Sequence, residues 1–208
     1  MTRDEAVARA RALFLDDANV YGCAETTLIV LKEAFGLPEP EDSSAALALN
    51  GGVAYSGGIC GAISGAAIAV GILAAQRIPS HAAAKRAARR IVARQMEEFR
   101  AEYGAVDCRT LLGREIRTPA QHRAFIADGA WRRTCMAQIE FVVARLATLP
   151  TDPPSDQATG RAPRGIGAAG RGAARTPRSP AGDPQAGATK AARSRACPTA
   201  PIPRPAAK

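Results

Sequence analysis

Residues 50–71 read Asn50-Gly-Gly-Val-Ala-Tyr-Ser-Gly-Gly-Ile-Cys60-Gly-Ala-Ile-Ser-Gly65-Ala-Ala-Ile-Ala-Val-Gly71. Four glycines lie in the nine residues before Cys60 and predict a loop, because glycine tolerates positive φ and close backbone approach. The small apolar residues that follow predict a buried helix running to about Gln76. Cys60 would begin that helix, where unpaired N–H groups and the helix dipole lower a thiol's pKa. The stretch therefore predicts a reactive thiol at the start of a buried helix.

Helical periodicity continues on both sides of this stretch, and no segment has the alternation of a strand. Two capping boxes mark helix starts, one from Thr2 and Glu5 and the other from Thr118 and Gln121. The other predicted helices cover residues 3–18, 23–35, 42–49, 81–103, 108–112, a short segment from Pro119, and 129–149. The predicted fold class is all-α, a compact bundle of five or six helices with short connections.

The composition changes after residue 150. Residues 151–208 contain mostly Pro, Gly, Ala, Arg, Thr and Ser, and cannot bury enough apolar surface to offset chain entropy. We therefore predict a helical domain over 1–150 and a disordered tail over 151–208. The tail carries ten basic and three acidic residues, so most of the net charge of +9 belongs to it. It has no aromatic residue for base stacking, and we expect no specific nucleic-acid partner.

The first 20 residues contain four acidic side chains and no long apolar run, so we expect no secretory signal. Residues 59–75 are uncharged but slightly short for a bilayer span, and a helix buried on all sides gives the same pattern. We therefore predict a cytoplasmic protein without a membrane span. Cysteines in that compartment are more often catalytic, redox-active or metal-bound than joined in stable disulfides.

Four cysteines fall in the predicted domain: Cys23, Cys60, Cys108 and Cys135. The first three begin predicted helices, and Cys135 starts the inward stripe of the last one. None lies within C-x-x-C spacing of another, so a zinc ribbon or thioredoxin motif is excluded, and only the fold can assemble a site. Free cysteine is also a common buried residue, so a purely structural role is an alternative.

The order of these cysteines resembles a family of redox-active proteins named for its pattern, C_GCAxxG_C_C: one Cys, a C-G-A-x-x-G motif, and two single Cys. Cys60-Gly-Ala-Ile-Ser-Gly65 matches the central motif, and Cys23 lies in Tyr-Gly-Cys-Ala-Glu-Thr-Thr-Leu. Cys108 lies in Tyr-Gly-Ala-Val-Asp-Cys-Arg-Thr-Leu-Leu-Gly, and Cys135 begins the last helix. The resemblance covers about residues 3–147. One departure is Gly22, where the family usually has asparagine.

The resemblance implies redox activity through cysteine and leaves three hypotheses. In the first, Cys60 is the attacking thiolate of a thiol–disulfide or electron-transfer protein and Cys23 its resolving partner. In the second, Cys23, Cys60, Cys108 and Cys135 bind zinc or an iron–sulfur cluster. In the third, the chain is a non-catalytic helical interaction module. The chain lacks C-x-x-C-H, so covalent haem is not expected. The redox partner is not identified, and a homo-oligomer is compatible with the sequence.

Three further features carry weaker signals. Arg109, Arg132 and Arg133 adjoin cysteines and could stabilise thiolates, although such arginines more often form solvated helix faces. The glycine loop carries no P-loop lysine, so we expect no nucleotide site. Trp131 is expected to pack inward, whereas His122 has no catalytic partner visible in the sequence.

Overall fold

In the computed structural model, which describes residues 1–149, seven α-helices and one 3-10 helix follow each other along the chain. They are α1 (Arg3–Phe14), α2 (Cys23–Phe35), the 3-10 helix (Ser44–Ala46), α3 (Gly61–Arg77), α4 (His81–Tyr103), α5 (Cys108–Leu112), α6 (Pro119–Ala127) and α7 (Ala130–Leu146). The predicted all-α fold is confirmed for this part of the chain. The short helices α5 and α6 bring the number of α-helices to seven rather than five or six. The predicted tail, 151–208, lies outside the described residues.

Most helix boundaries agree with the sequence because the predicted caps form. Both capping boxes are present, and α2 ends at Gly36, whose φ of 64° is left-handed. Three helices are shorter than predicted: α1 ends at Phe14, α7 ends at Leu146, and only Ser44–Ala46 of the segment 42–49 is helical. After α1 and before the 3-10 helix, an aspartate (Asp16 or Asp42) accepts a hydrogen bond from the N–H two residues ahead. This local turn competes with the helix.

The central helix is α2, which contacts α1, α3 and α7. All residues from Ala24 to Lys32 are buried, so this helix has no solvent face over more than two turns. Lys32 is accommodated because its amine donates to the carbonyl oxygens of Glu39 and Asp42, at 2.6 and 2.8 Å. The same bonds fix the chain that leaves α2. The core therefore surrounds α2 on three sides.

The helix α3 lies between α2 and α4, and its burial explains the apolar run of residues 59–75. Within residues 1–149, no helix has both the length and the apolar character needed to cross a membrane. The longest helix, α4, buries only Ala84, Ala87, Gln95 and Phe99, so most of its surface is polar or half-buried. The helix α7 packs against α1, α2 and α3. These contacts bring the N-terminal ends of α2 and α3 to the same side as the first turns of α7.

Candidate functional site

Four free cysteines lie in the region where these helix ends converge. Cys23 and Cys108 are the first residues of α2 and α5, Cys60 is the N-cap of α3, and Cys135 lies near the start of α7. Three of them, Cys23, Cys108 and Cys135, line a single cavity of about 240 Å³. Cys60 is buried and is not part of the cavity wall. The fold thus gathers the predicted site residues and gives Cys60 a different environment from the others.

The two glycines of the central motif allow α2 and α3 to approach closely. A Cβ at Gly61 would lie 2.3 Å from the Cys23 sulfur, and a Cβ at Gly65 would lie 2.2 Å from the carbonyl oxygen of Ala24. Neither position has room for a side chain. The spacing of four residues places both glycines on the same face of α3. The motif therefore brings the starts of α2 and α3, and with them Cys23 and Cys60, side by side.

A short backbone pairing connects Cys60 with Cys108. Ile59 and Asp107 form an isolated antiparallel bridge. The N–H of Cys60 donates to the carbonyl of Val106 at 2.8 Å, and the N–H of Cys108 donates to the carbonyl of Gly58 at 2.6 Å. These bonds align the loop before α3 with the segment before α5. The glycine loop therefore does more than connect two helices, because it fixes two cysteine-bearing segments to each other.

Cys23 lies in an environment rich in backbone donors. Burial raises the pKa of its thiol above the ordinary value, and the N–H groups of Gly51, Ala24, Cys23 itself and Gly61 offset only part of that rise. These donors come from α2, from the start of α3 and from the glycine loop. A thiolate formed here would be stabilised by N–H groups from three separate segments.

Cys60 lies in a closed environment instead. Its thiol donates to the side-chain carbonyl of buried Gln138, with a sulfur–oxygen distance of 3.4 Å. Burial, followed by the charge of a Cys23 thiolate, raises the pKa of Cys60 far above its ordinary value. The prediction that the helix start lowers the pKa of Cys60 is therefore wrong, because desolvation outweighs the N–H groups of Ala62 and Ile63.

The four thiols are electrostatically coupled. Burial, followed by the negative charges of a Cys23 thiolate and of Asp107, raises the pKa of Cys108 to about 12. Burial also raises the pKa of Cys135 well above its usual range, and charges on Cys23, Cys60 and Cys108 add to this effect. A Cys23 thiolate raises the pKa of Cys60, Cys108 and Cys135 more than any other charged group does. Cys23 is therefore the electrostatic centre of the cluster.

Asn50 supports Cys23, a role that was not predicted from the sequence. Its side-chain oxygen accepts hydrogen bonds from the N–H of Ala24 at 3.0 Å and from the Cys23 thiol at 3.7 Å. Its amide nitrogen donates to Glu25 at 2.7 Å, and the same carboxylate accepts from the N–H of Gly22 at 2.9 Å. A Cβ at Gly22 would lie 2.3 Å from the Asn50 amide. The missing side chain at residue 22 therefore leaves the space that Asn50 occupies.

Aromatic side chains form much of the cavity wall. Trp131 is buried, as predicted, and packs edge-to-face on Phe14 with 5.2 Å between ring centroids. Tyr55 and His122 form a second edge-to-face pair at 4.7 Å, and Phe125 also lines the cavity. His122 thus has an aromatic neighbour that lies 67 residues before it in the chain. Such a contact has no signature in local sequence.

The loop that carries Tyr55 has an unusual backbone. All five residues from 51 to 55 have positive φ, including the non-glycine residues Val53, Ala54 and Tyr55 at 65°, 49° and 59°. In each of the three non-glycine residues, this backbone conformation is less favourable than the right-handed one by about 1–2 kcal/mol of free energy. The glycines at 51 and 52 were expected to permit this geometry, whereas the three side chains that share it could not be predicted.

The arginines beside the cysteines have other partners. Arg109 approaches Glu115 at 3.5 Å, and Arg132 bonds to Asp17 at 3.1 Å while its guanidinium covers the Trp131 ring. Arg133 is exposed. None of the three lines the cavity, which agrees with the alternative that they form solvated helix faces.

Residues 1–149 contain no cluster of metal-binding side chains. No three side chains from His, Cys, Asp and Glu are arranged there so that they could hold a metal ion. The zinc and iron–sulfur hypotheses remain sequence-based predictions.

Comparison with known proteins identifies the family. A family model with the description "Putative redox-active protein (C_GCAxxG_C_C)" matches residues 21–149, which is more than half of the chain and includes Cys23, Cys60, Cys108 and Cys135. The chain therefore belongs to this family. The second element of the printed pattern reads Gly-Cys-Ala, whereas this chain has Cys60-Gly61-Ala62 at that place. No curated protein and no solved structure matches the chain.

Proposed function

We propose that this member of the C_GCAxxG_C_C family performs two-electron thiol–disulfide chemistry, with Cys23 as the attacking sulfur. The observation that carries the proposal is the gathering of four coupled thiols from four helices, three of them on one cavity. Membership of a family described as redox-active supports the same reading. The predicted cytoplasmic location belongs to this proposal, because that compartment supplies the reductants that return a catalytic disulfide to its thiols.

Cys23 replaces Cys60 as the candidate attacking thiol for two reasons. A nucleophile must reach its substrate, and Cys23 lines the cavity whereas Cys60 does not. The thiolate is the reactive form, and Cys23 has N–H donors from three segments to stabilise it. Cys60 instead is buried, and the contact of its thiol with Gln138 is buried too.

Cys108 is the favoured resolving thiol. It shares the cavity wall with Cys23, and a Cys23 thiolate is the charge with the largest effect on it. Cys108 belongs to a helix of five residues that ends at Gly113 in a left-handed conformation, so a small shift moves few contacts. Cys135 also lines the cavity but is held within the 17 residues of α7. A disulfide to Cys135 would have to displace a packed core helix.

The exchange is balanced as follows. The Cys23 thiolate attacks one sulfur of a substrate disulfide, so a mixed disulfide forms and the first substrate thiolate leaves. Cys108 then loses its proton and attacks the Cys23 sulfur. The second substrate thiolate leaves, and the two protein thiols end as one disulfide. Two electrons pass to the substrate, whose two thiolates take up the two protons.

The test is a thiol titration of the reduced chain with Cys197 replaced by serine, so that the tail contributes none. Mild oxidation with diamide is expected to remove two of the four remaining thiols reversibly, and peptide mapping should place them at Cys23 and Cys108. Cys23→Ser and Cys108→Ser should abolish the loss, whereas Cys60→Ser is the matched control that retains it. Four thiols that resist oxidation would contradict the proposal, and stoichiometric zinc or iron would favour the metal hypothesis.

A further inference from the structure

The cavity beside Cys23 has the chemistry of a site for a flat apolar molecule. Two edge-to-face aromatic pairs, Phe14 with Trp131 and Tyr55 with His122, contribute to its wall. Within the described residues, no lysine or arginine lines it. The one carboxylate in the wall, Glu25, already accepts hydrogen bonds from Asn50 and Gly22. The wall therefore offers ring faces and sulfur, and has no cationic side chain for an anionic substrate.

The size of the cavity limits the substrate further. Its volume of about 240 Å³ lies below the roughly 300–1,000 Å³ that is usual for drug-sized ligands. A dinucleotide or a flavin nucleotide exceeds this space, and its phosphates would meet no cationic side chain there. A single substituted ring fits the volume and can pack against the aromatic side chains.

We propose that the cavity binds a small quinone, which accepts the electrons of the Cys23–Cys108 dithiol. This inference rests on the proposed dithiol function, in which the same thiol pair reduces a disulfide, and names a quinone as a second electron acceptor for that pair. A quinone presents a flat apolar ring to the aromatic wall and two carbonyl oxygens that accept hydrogen bonds. The Tyr55 hydroxyl and the His122 imidazole are polar groups of the same wall that can donate such bonds.

The electron count matches the sulfur chemistry. Two S–H bonds break, at Cys23 and Cys108, and one S–S bond forms between them. The two electrons and two protons released convert the two carbonyl oxygens of the quinone into the hydroxyl groups of a hydroquinone. No other co-reactant is required.

The probe for this site is tetramethyl-1,4-benzoquinone. All four of its ring carbons carry methyl groups, so thiols cannot add at a ring C–H position. Trp131 is the only tryptophan of the chain and lines the cavity, so its fluorescence reports occupancy directly. Saturable quenching is expected in the reduced Cys197→Ser chain. One hydroquinone should form for every two thiols lost.

Two glycine variants provide a matched pair. Tyr55 and Val53 both have positive φ, so glycine relieves strain at either position, but only Tyr55 lines the cavity. Tyr55→Gly is expected to weaken quinone binding at least tenfold, and Val53→Gly should leave it unchanged. Equal affinities in the two variants would overturn the placement of the site.

The outcomes also separate this inference from the function on which it rests. If diamide oxidises the Cys23–Cys108 pair while the quinone neither quenches Trp131 saturably nor is reduced, the quinone proposal is overturned and the dithiol function stands. If the quinone binds but neither it nor diamide oxidises the pair, the dithiol function is overturned, and with it electron transfer to the quinone.

Discussion

Cys23 and Cys60 occupy similar places in the sequence and different places in the molecule. Each stands at the start of an α-helix, and their helices pack against each other. Cys23 lines the cavity and receives N–H groups from three segments, whereas Cys60 is buried behind it against Gln138. Burial raises the pKa of both thiols, so a helix start does not by itself activate a thiol. The cavity gives Cys23 an access to substrate that Cys60 lacks.

The largest effect on stability is expected where the Cys23 region and the Cys60 region touch, at the contact between α2 and α3. Gly65→Ala places a methyl group 2.2 Å from the Ala24 carbonyl oxygen, which belongs to the backbone and cannot rotate away. We expect the free energy of unfolding to fall by about 3 kcal/mol, because α2 and α3 must separate. Chemical denaturation measures the loss.

The control lies on the same helix. Gly71 has open space around its Cβ direction, so Gly71→Ala meets nothing within 4 Å. This variant should be stabilised by about 0.5–1 kcal/mol, since alanine is the better helix former. Equal effects at Gly65 and Gly71 would show that close packing does not connect the Cys23 and Cys60 regions.

The next largest effect concerns Asn50, which supports Cys23, and the space for it at Gly22. Gly22→Asn introduces a side chain into the space of the Asn50 amide and should destabilise the fold by about 2 kcal/mol. Asn50→Gly removes the bonds to Ala24 and Glu25 and should also destabilise it. The double variant should be more stable than the sum of the two losses predicts, because one asparagine replaces the other. If the losses of unfolding free energy are strictly additive in a double-mutant cycle, the asparagine at residue 22 does not replace Asn50.

Thiol modification then compares the two cysteines directly. In the Cys197→Ser chain at pH 8, iodoacetamide should alkylate Cys23 about ten times faster than Cys60, which corresponds to about 1.4 kcal/mol. The reason is the access of Cys23 to the cavity and its backbone donors. Peptide mass spectrometry over time gives both rates. If Cys60 reacts first, it regains the role of attacking thiol.

The smallest effect is an alkaline loss of stability. Burial raises the pKa of Cys108 from 9.0 to about 12, so above pH 9 the folded chain keeps a proton that the unfolded chain releases. The free energy of unfolding therefore falls as pH rises from 9 towards 12. Between pH 8 and 9.5, Cys108 should contribute about 0.8 kcal/mol of this loss. The decrease should be smaller by that amount in Cys108→Ser, and an unchanged decrease would mean that the thiol titrates normally.

The features that depend on local sequence could be predicted. The capping boxes at Thr2 and Thr118 form as expected, and the order of the four cysteines agrees with the family match. Helix boundaries were missed where Asp16 or Asp42 accepts a hydrogen bond from a backbone N–H two residues ahead, because this local bond competes with the helix.

The features that depend on tertiary packing could not be predicted. Asn50 lies 27 residues from Cys23, and Gln138 lies 78 residues from Cys60, so neither contact leaves a local signal. The pKa of Cys60 depends on desolvation, which exists only once α2, α3 and α7 have packed. The glycine at residue 22 was the one available clue, because a missing side chain leaves space for another.

The reciprocal bonds between the glycine loop and the start of α5 have a consequence for hydrogen exchange. The amide of Cys60 is held by Val106 and the amide of Cys108 by Gly58, so opening either segment releases both amides. The two should exchange with deuterium together, as members of one cooperative unit. Residues 48 positions apart in the chain would then open and close as a single local event.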